Sequence, residues 1–265
     1  MESLESELEG ARALEVGALA DAIESIGFEC TRCGACCKAD DADPHTATVF
    51  PDEIRRLQEV TGDAAVEGSS EADGGSEADG DSAVATPDRD AEYDFRDVAR
   101  PMPYGLTDDP DGSDGPSGET FEWALGTDAC GDCTFYREPS ETAPGDGDAV
   151  GPDEGVGACT VHEDRPLICR TYPFSVALGG TSQPMGEAVD TEGMVRAHEC
   201  EGLGRDISRS DAEELAAALK ERAVRELEEA IGVRDNYEPV ETAGGEVVVH
   251  DSEGAKRPDG TPLDG

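Results

Sequence analysis

FECTRCGACC, residues Phe28 to Cys37, sets Cys30, Cys33, Cys36 and Cys37 in the pattern C-x-x-C-x-x-C-C. Two intervening residues let neighbouring thiolates curl around one metal centre, a spacing that recurs in thiolate zinc sites and at three corners of cubane iron–sulfur clusters. Cys30, Cys33 and Cys36 can therefore converge. Cys37 follows Cys36 directly and adjacent side chains usually diverge, so Cys37 serves a second metal or stays a thiol. Downstream lie Cys133, Cys159, Cys169 and Cys200. Eight thiolates make two four-thiolate sites, or one site with spare thiols. The cysteines number nine, an odd count that in a reducing cytosol points to metal ligands or catalytic thiols rather than a disulfide framework.

Around this constellation stand residues with two readings each. Cys130 forms C-x-x-C with Cys133, a redox pair or a ligand pair. His162 lies three residues after Cys159, as a C-x-x-H ligand would, or as an ordinary turn histidine. His198 precedes Cys200 by two, so on a strand both face one side; it is a ligand or a solvated strand residue. Arg165 and Arg170 flank Cys169 in RPLICR, where they either pair with carboxylates or offset the charge of a thiolate cluster.

Working outward, Leu4, Leu8, Val16, Leu19, Ile23 and Ile26 form one apolar stripe of helical spacing over residues 3–26, which Gly27 can end. Pro51 with Asp52 and Glu53 opens a short helix to about Thr61. From Asp63 to Asp114 there are 16 acidic residues against three basic ones, and SEADG occurs twice, so residues 62–90 read as a disordered insertion. Within the stretch Tyr93–Tyr104, Phe95, Val98 and Met102 have the apolar content to dock on the body. Thr120 to Leu125 alternates like a strand, and an acidic, Gly- and Pro-rich loop covers 138–157. CTVHEDRPLICRTYPF, Cys159 to Phe174, is the densest segment; strand-like SVAL follows it, and Met194 to Cys200 alternates again. Ser210 with Glu213 makes a capping box for a long helix on Leu215, Leu219, Ala223, Leu227 and Ile231. Val247 to Val249 with DSEG reads as a hairpin.

The composition sets bounds. Of 265 residues, 63 are Asp or Glu and 20 are Lys or Arg, a net charge of -43. Phosphate backbones and anionic lipid surfaces are bound through Lys and Arg, so nucleic acid and membrane are excluded as partners. Acid spread over the whole chain with only three lysines, Lys38, Lys220 and Lys256, reads as adaptation to high salt, which screens self-repulsion. With 36% hydrophobic and 5% aromatic residues the core is lean. The first ten residues are acidic where a signal peptide is basic, and no apolar run approaches the roughly 18 residues that span a bilayer; a soluble, cytoplasmic protein is expected. Gly202 and Gly204 form no phosphate loop, and no Ser-His-Asp arrangement rises above chance.

Taken in order, FECTRCGACC, VFPDEIRRL, C-x-F at Cys133, CTVHEDRPLICRTYPF and CEGLG at Cys200 resemble the YkgJ-type cysteine-cluster proteins, the CxxCxxCC zinc- or iron-chelating domains. The resemblance covers residues 28–60 and 120–205. It implies metal binding through Cys30, Cys33, Cys36, Cys37, Cys133, Cys159, Cys169 and Cys200, with both zinc and iron–sulfur readings open. It leaves Cys130 as the spare thiol. Flagellin lysine N-methylases carry a similar cluster. His162 stands where the family pattern has an aromatic, which argues against a ligand role for it.

The expected architecture is a small, metal-organised, loop-rich α+β domain with peripheral helices and short strands. Residues 1–61 and 120–232 form one domain, 62–119 a mostly disordered acidic insertion, and 233–265 a tail with a hairpin. Metal ligation offsets the lean core. The expected function is a cytoplasmic protein holding an iron–sulfur cluster, favoured over zinc because C-x-x-C-x-x-C offers three corners and a remote fourth ligand. The alternatives are a cluster-dependent oxidoreductase or protein methyltransferase, and a metal chelator or carrier.

Overall fold

The computed structural model describes residues 3–39, 45–67, 94–107, 115–138, 157–178, 188–190, 193–240, 242 and 245–263. Both SEADG repeats and most of the acidic stretches 62–90 and 138–157 lie outside these residues. The described chain runs α1 (Leu4–Ala13), α2 (Val16–Ile26), β1 (Thr48–Val49), α3 (Pro51–Glu67), β2 (Ala99–Pro101), β3 (Leu106–Thr107), β4 (Ser117–Thr120), β5 (Trp123–Leu125), β6 (Tyr136–Arg137) and β7 (Ala158–Cys159). It continues with α4 (Leu167–Thr171), β8 (Phe174–Val176), β9 (Ala188–Asp190), β10 (Val195–His198), α5 (Arg209–Asn236), β11 (Val247–Asp251) and β12 (Gly254–Lys256). The fold is mixed α+β and rich in loops, and among the described residues no helix is long and apolar enough to cross a membrane.

Two apolar cores organise it. In the first, Leu19 and Ile23 of α2, Leu8 and Ala11 of α1 and Leu219 and Leu227 of α5 pack on Phe174, Val195 and Ala197 of the antiparallel sheet β8-β10-β9. The apolar stripe of residues 3–26 is interrupted at Leu14 and Glu15, so it forms two helices. Both pack on α5, and a stripe that serves both segments does not reveal the break. Gly27 ends α2 at φ +77, where a Cβ would run into the Arg205 carbonyl. The long helix starts earlier than the capping box at Ser210 suggests. Ser208 caps it, accepting from the Asp211 N–H at 3.2 Å while its hydroxyl donates to the Asp211 carboxylate at 2.7 Å. The same four-residue logic operates two positions upstream.

The second core gathers Ile54 and Leu57 of α3, Phe95, Val98, Trp123, Leu125, Phe135 and Val249. Phe95, Val98 and Met102 are all buried. Residues 120–125 do not form a single strand. β4 pairs in parallel with β11 and antiparallel with β3, whereas β5 lies between β1 and β2. All three β5 residues are buried, which abolishes the in-out alternation a half-exposed strand shows. Trp123 donates its indole N–H to Asp251 at 2.9 Å, and the same carboxylate takes the buried Lys256 ammonium at 2.7 Å. The hairpin β11-β12 is thereby locked to the central strand, and removing one partner of such a buried pair costs about 3–5 kcal/mol.

Between the cores runs the corner α4-β8. Arg222 of α5, 2% exposed, donates to the Thr171 hydroxyl and the Phe174 carbonyl and pairs with Glu226 at 2.6 Å. That contact carries the CRTYPF segment, and Cys169 with it, against the long helix.

Candidate metal centre

Backbone pairing brings the cysteine segments together in two places. Just past α2, Phe28 bridges Leu203, the Glu29 N–H donates to the Gly202 carbonyl at 3.1 Å and the Gly204 N–H to Gly27 at 3.0 Å. Gly202 is needed there, because a Cβ would strike the Glu29 carbonyl. This short ladder carries Cys30 and Cys200 to the same end. In the second place the Cys133 N–H donates to the Cys37 carbonyl at 2.8 Å, and β6 pairs with β7 so that Tyr136 faces Cys159. Ala39 donates to the Asp132 carboxylate at 2.8 Å and Lys38 pairs with Glu138 at 2.5 Å, fastening the C-x-x-C-x-x-C-C loop to the 128–138 loop. Gly34, at φ +78, packs under the Tyr136 ring, leaving no room for a side chain.

The thiols accordingly fall into two neighbourhoods. Cys200 has Cys33, Cys36 and Cys30 around it; their charges and, more strongly, burial raise its pKa, while the Gly202 N–H, 3.4 Å from its sulfur, works the other way. Tyr172 lies beside the same thiols and donates to the Glu199 carbonyl; burial first, then Cys200 and Cys36, push its hydroxyl up to about 12. Cys133, Cys159 and Cys169 form the second neighbourhood with Cys37, all four belonging to or packed against the second core. Burial raises Cys133 to about 11, raises Cys159, and lifts Cys169 well above the ordinary thiol value, with its thiol neighbours adding to the effect.

Cys36 and Cys37 stand where the two neighbourhoods meet. Their sulfurs are 3.9 Å apart, so these adjacent side chains do not diverge. The tight 3-10 turn Ala35–Cys37 sets both on one side. The hydrogen bond between them draws Cys36 down to about 7 and raises Cys37. Arg165, whose guanidinium donates to the His162 carbonyl at 2.9 Å, adds by its charge to the lowering of Cys36 and works against the burial that raises Cys159 and Cys169.

Other candidates stand apart. Cys130 is exposed in the turn that Asp128 closes through its side chain. His162 contacts Glu163 at 3.2 Å, and buried His198 meets the Ser175 hydroxyl at 2.9 Å. Reading the sequence missed His45. It is 7% exposed, lies against the Cys36 backbone, and has its pKa lowered chiefly by burial. Its place in a polar loop with no periodic pattern gave no signal. Among the described residues, no three His, Cys, Asp or Glu side chains are gathered as a finished metal site. The donor set is nonetheless all thiol, with an N–H aimed at one sulfur and a guanidinium among the others. That chemistry suits zinc or iron and not a hard, oxygen-seeking cation.

Residues 29–201 match the family model CxxCxxCC, "Putative zinc- or iron-chelating domain". The chain belongs to that family. None of the curated proteins and none of the solved structures matches this CxxCxxCC protein. Zinc or iron chelation is therefore the role of the domain, and both cysteine neighbourhoods lie within the matched residues.

Proposed function

We propose that the protein holds two metal centres. The outer one, on Cys30, Cys33, Cys36 and Cys200, takes an iron–sulfur cluster; the inner one, on Cys37, Cys133, Cys159 and Cys169, takes a single zinc or iron ion as a structural site. The observation that carries this reading is the short ladder of Phe28 with Leu203 and Glu29 with Gly202, which brings Cys200 to the end of the motif where Cys30 stands. Cys200 supplies the remote fourth ligand that the three-cornered motif requires. The inner four come from separate segments and are largely enclosed, as closed structural sites are. Binding draws each set of thiolates together, which couples the metal to local folding.

A cluster at the outer centre supplies one-electron transfer. The protein's own groups serve it in plain ways. The Gly202 N–H supports the Cys200 sulfur, and the Arg165 guanidinium offsets thiolate charge at the seam. Cys30, Cys33 and Cys36 are exposed, which also supports a second reading, a carrier that hands its metal on from this face. Free thiols throughout suit a reducing cytoplasm, and the net charge supports neither a nucleic-acid nor a membrane partner.

Protein purified without oxygen and analysed for metals and acid-labile sulfide tests the assignment. The expected result is a brown protein with iron and sulfide in similar amounts and one further metal ion per chain. Colourless protein with zinc alone overturns the cluster, and metal-free folded protein overturns both centres.

A further inference from the structure

Beside the second core, the last turns of α5 and the strands β1 and β5 enclose a cleft of about 320 Å³. Its walls are apolar and aromatic: Tyr104, Phe121, Trp123 and Val233 line it. Phe121 is 46% exposed and Tyr104 is 57% exposed, large apolar surface that a protein ordinarily covers. Phe121 is held in place. Its ring packs 5.5 Å from Tyr237 and stacks 5.5 Å from the buried His250 ring, and the Tyr237 hydroxyl is fixed on Glu119 at 3.0 Å. Such a wall loses little freedom when something docks on it.

The polar groups of the cleft are carboxylates. Glu226 is taken by Arg222. Glu122 and Glu229 also line the space. Glu229 is fixed by the Ser252 N–H at 2.8 Å on one oxygen. Burial raises the pKa of both acids, and the charge of Glu229 raises that of Glu122 further. Lys256 offsets the charge of Glu229 in part, whereas no cation among the described residues offsets that of Glu122, and an ammonium group would satisfy the carboxylates and the ring faces together. Cavities of this size with apolar walls and a few convergent polar groups take small molecules.

We infer that this cleft is a binding site for a small organic cation, an ammonium head carried on an apolar or aromatic body, with Glu122 and Glu229 on the head and the exposed rings of Tyr104 and Phe121 around the body. It is independent of the metal centres and uses none of their residues.

Trp123 is the only tryptophan in the chain, so its fluorescence reports the cleft directly. Whole metal-loaded protein is titrated at fixed high salt with 2-phenylethylammonium, with 2-phenylethanol as the neutral match and 3-phenylpropanoate as the anionic one. The ammonium should give a saturable change with a Kd about tenfold or more below that of the alcohol, the value of one partly buried charge-assisted hydrogen bond, and the carboxylate should give none. Glu229→Gln and Glu122→Gln should each remove that advantage while leaving alcohol binding and metal content unchanged. Phe121→Ala should weaken ammonium and alcohol alike. Glu9→Gln, on α1, removes one charge outside the cleft and should change nothing. Equal affinity for ammonium and alcohol, no saturable signal, or a Glu9→Gln loss as large as that of Glu229→Gln would overturn the site. Should Glu229→Gln disturb the fold through Ser252, Glu122→Gln carries the test alone.

Discussion

The two groups of thiols are chemically alike and physically opposite. Cys30, Cys33 and Cys36 are exposed and Cys200 half-buried, on loops joined by one short ladder. Cys37, Cys133, Cys159 and Cys169 are buried or half-buried against the core around Trp123. A buried thiol resists losing its proton because the thiolate must leave water, and the upward shifts of Cys133 and Cys169 express that cost. A metal offsets it by replacing the proton. On the proposed reading the inner group would need its ion to be a well-formed part of the core, whereas the outer group could stand open. On that reading, one motif that is continuous along the chain would divide, between Cys36 and Cys37, into a face for chemistry and a brace for the fold.

The sharpest way to break this contrast is Cys133→Ser. It should cost the inner ion and lower the thermal midpoint by about 10 °C or more, the scale expected when a structural metal is lost from a domain of this size. Differential scanning calorimetry with metal analysis reads both. A midpoint within a few degrees of the parent would make the inner group a spectator. Next comes Cys33→Ser, which should abolish colour and sulfide while shifting the midpoint by only about 2–4 °C. If it unfolded the protein as Cys133→Ser does, the outer centre would be a brace too.

A subtler distinction lies in the metal-free protein. A thiolate, not a thiol, attacks an alkylating agent, so a group is reactive above its pKa. With Cys36 lowered to about 7 and Cys133 raised to about 11, alkylation of Cys36 should climb as pH passes 7, well before Cys133 reacts. Peptide mapping by mass spectrometry gives the order, and equal rates at pH 8 would contradict it. Cys130→Ser should do least, leaving metal content unchanged and the midpoint within about 1 °C, as exposed substitutions generally do. A loss of metal equal to that of Cys33→Ser would return Cys130 to the ligand set.

Much of this could be read along the chain, because cysteine spacing is a local signal. The ordered motifs single out eight cysteines, and the proposed two centres use those eight and leave out Cys130, which is exposed. The hairpin at Val247–Lys256, the glycine stop at Gly27 and the long helix near 215–231 were likewise local matters of turn chemistry and periodicity. What escaped was set by distant partners. That Cys200 meets Cys30 depends on a ladder across more than 170 residues of chain. That Thr120–Leu125 splits depends on two sheets claiming its halves. His45, buried beside Cys36 by Arg100 and Gly131, whose contacts are to its backbone, has no pattern of its own to announce it.

The family match ends at residue 201, but the packed cores do not. Leu19 and Ile23 before it, and Leu219 and Leu227 after it, share a core with Phe174 and Val195 inside it. Arg222 holds the Thr171–Phe174 corner from outside as well, and Val249 of β11 reaches into the second core. A graft of residues 29–201 onto another scaffold would thus carry every thiol and leave behind the surfaces that hold them in register. The flanking helices α1, α2 and α5 and the strand β11 thus support the segments that carry the cysteines, and such a graft would be expected to need them.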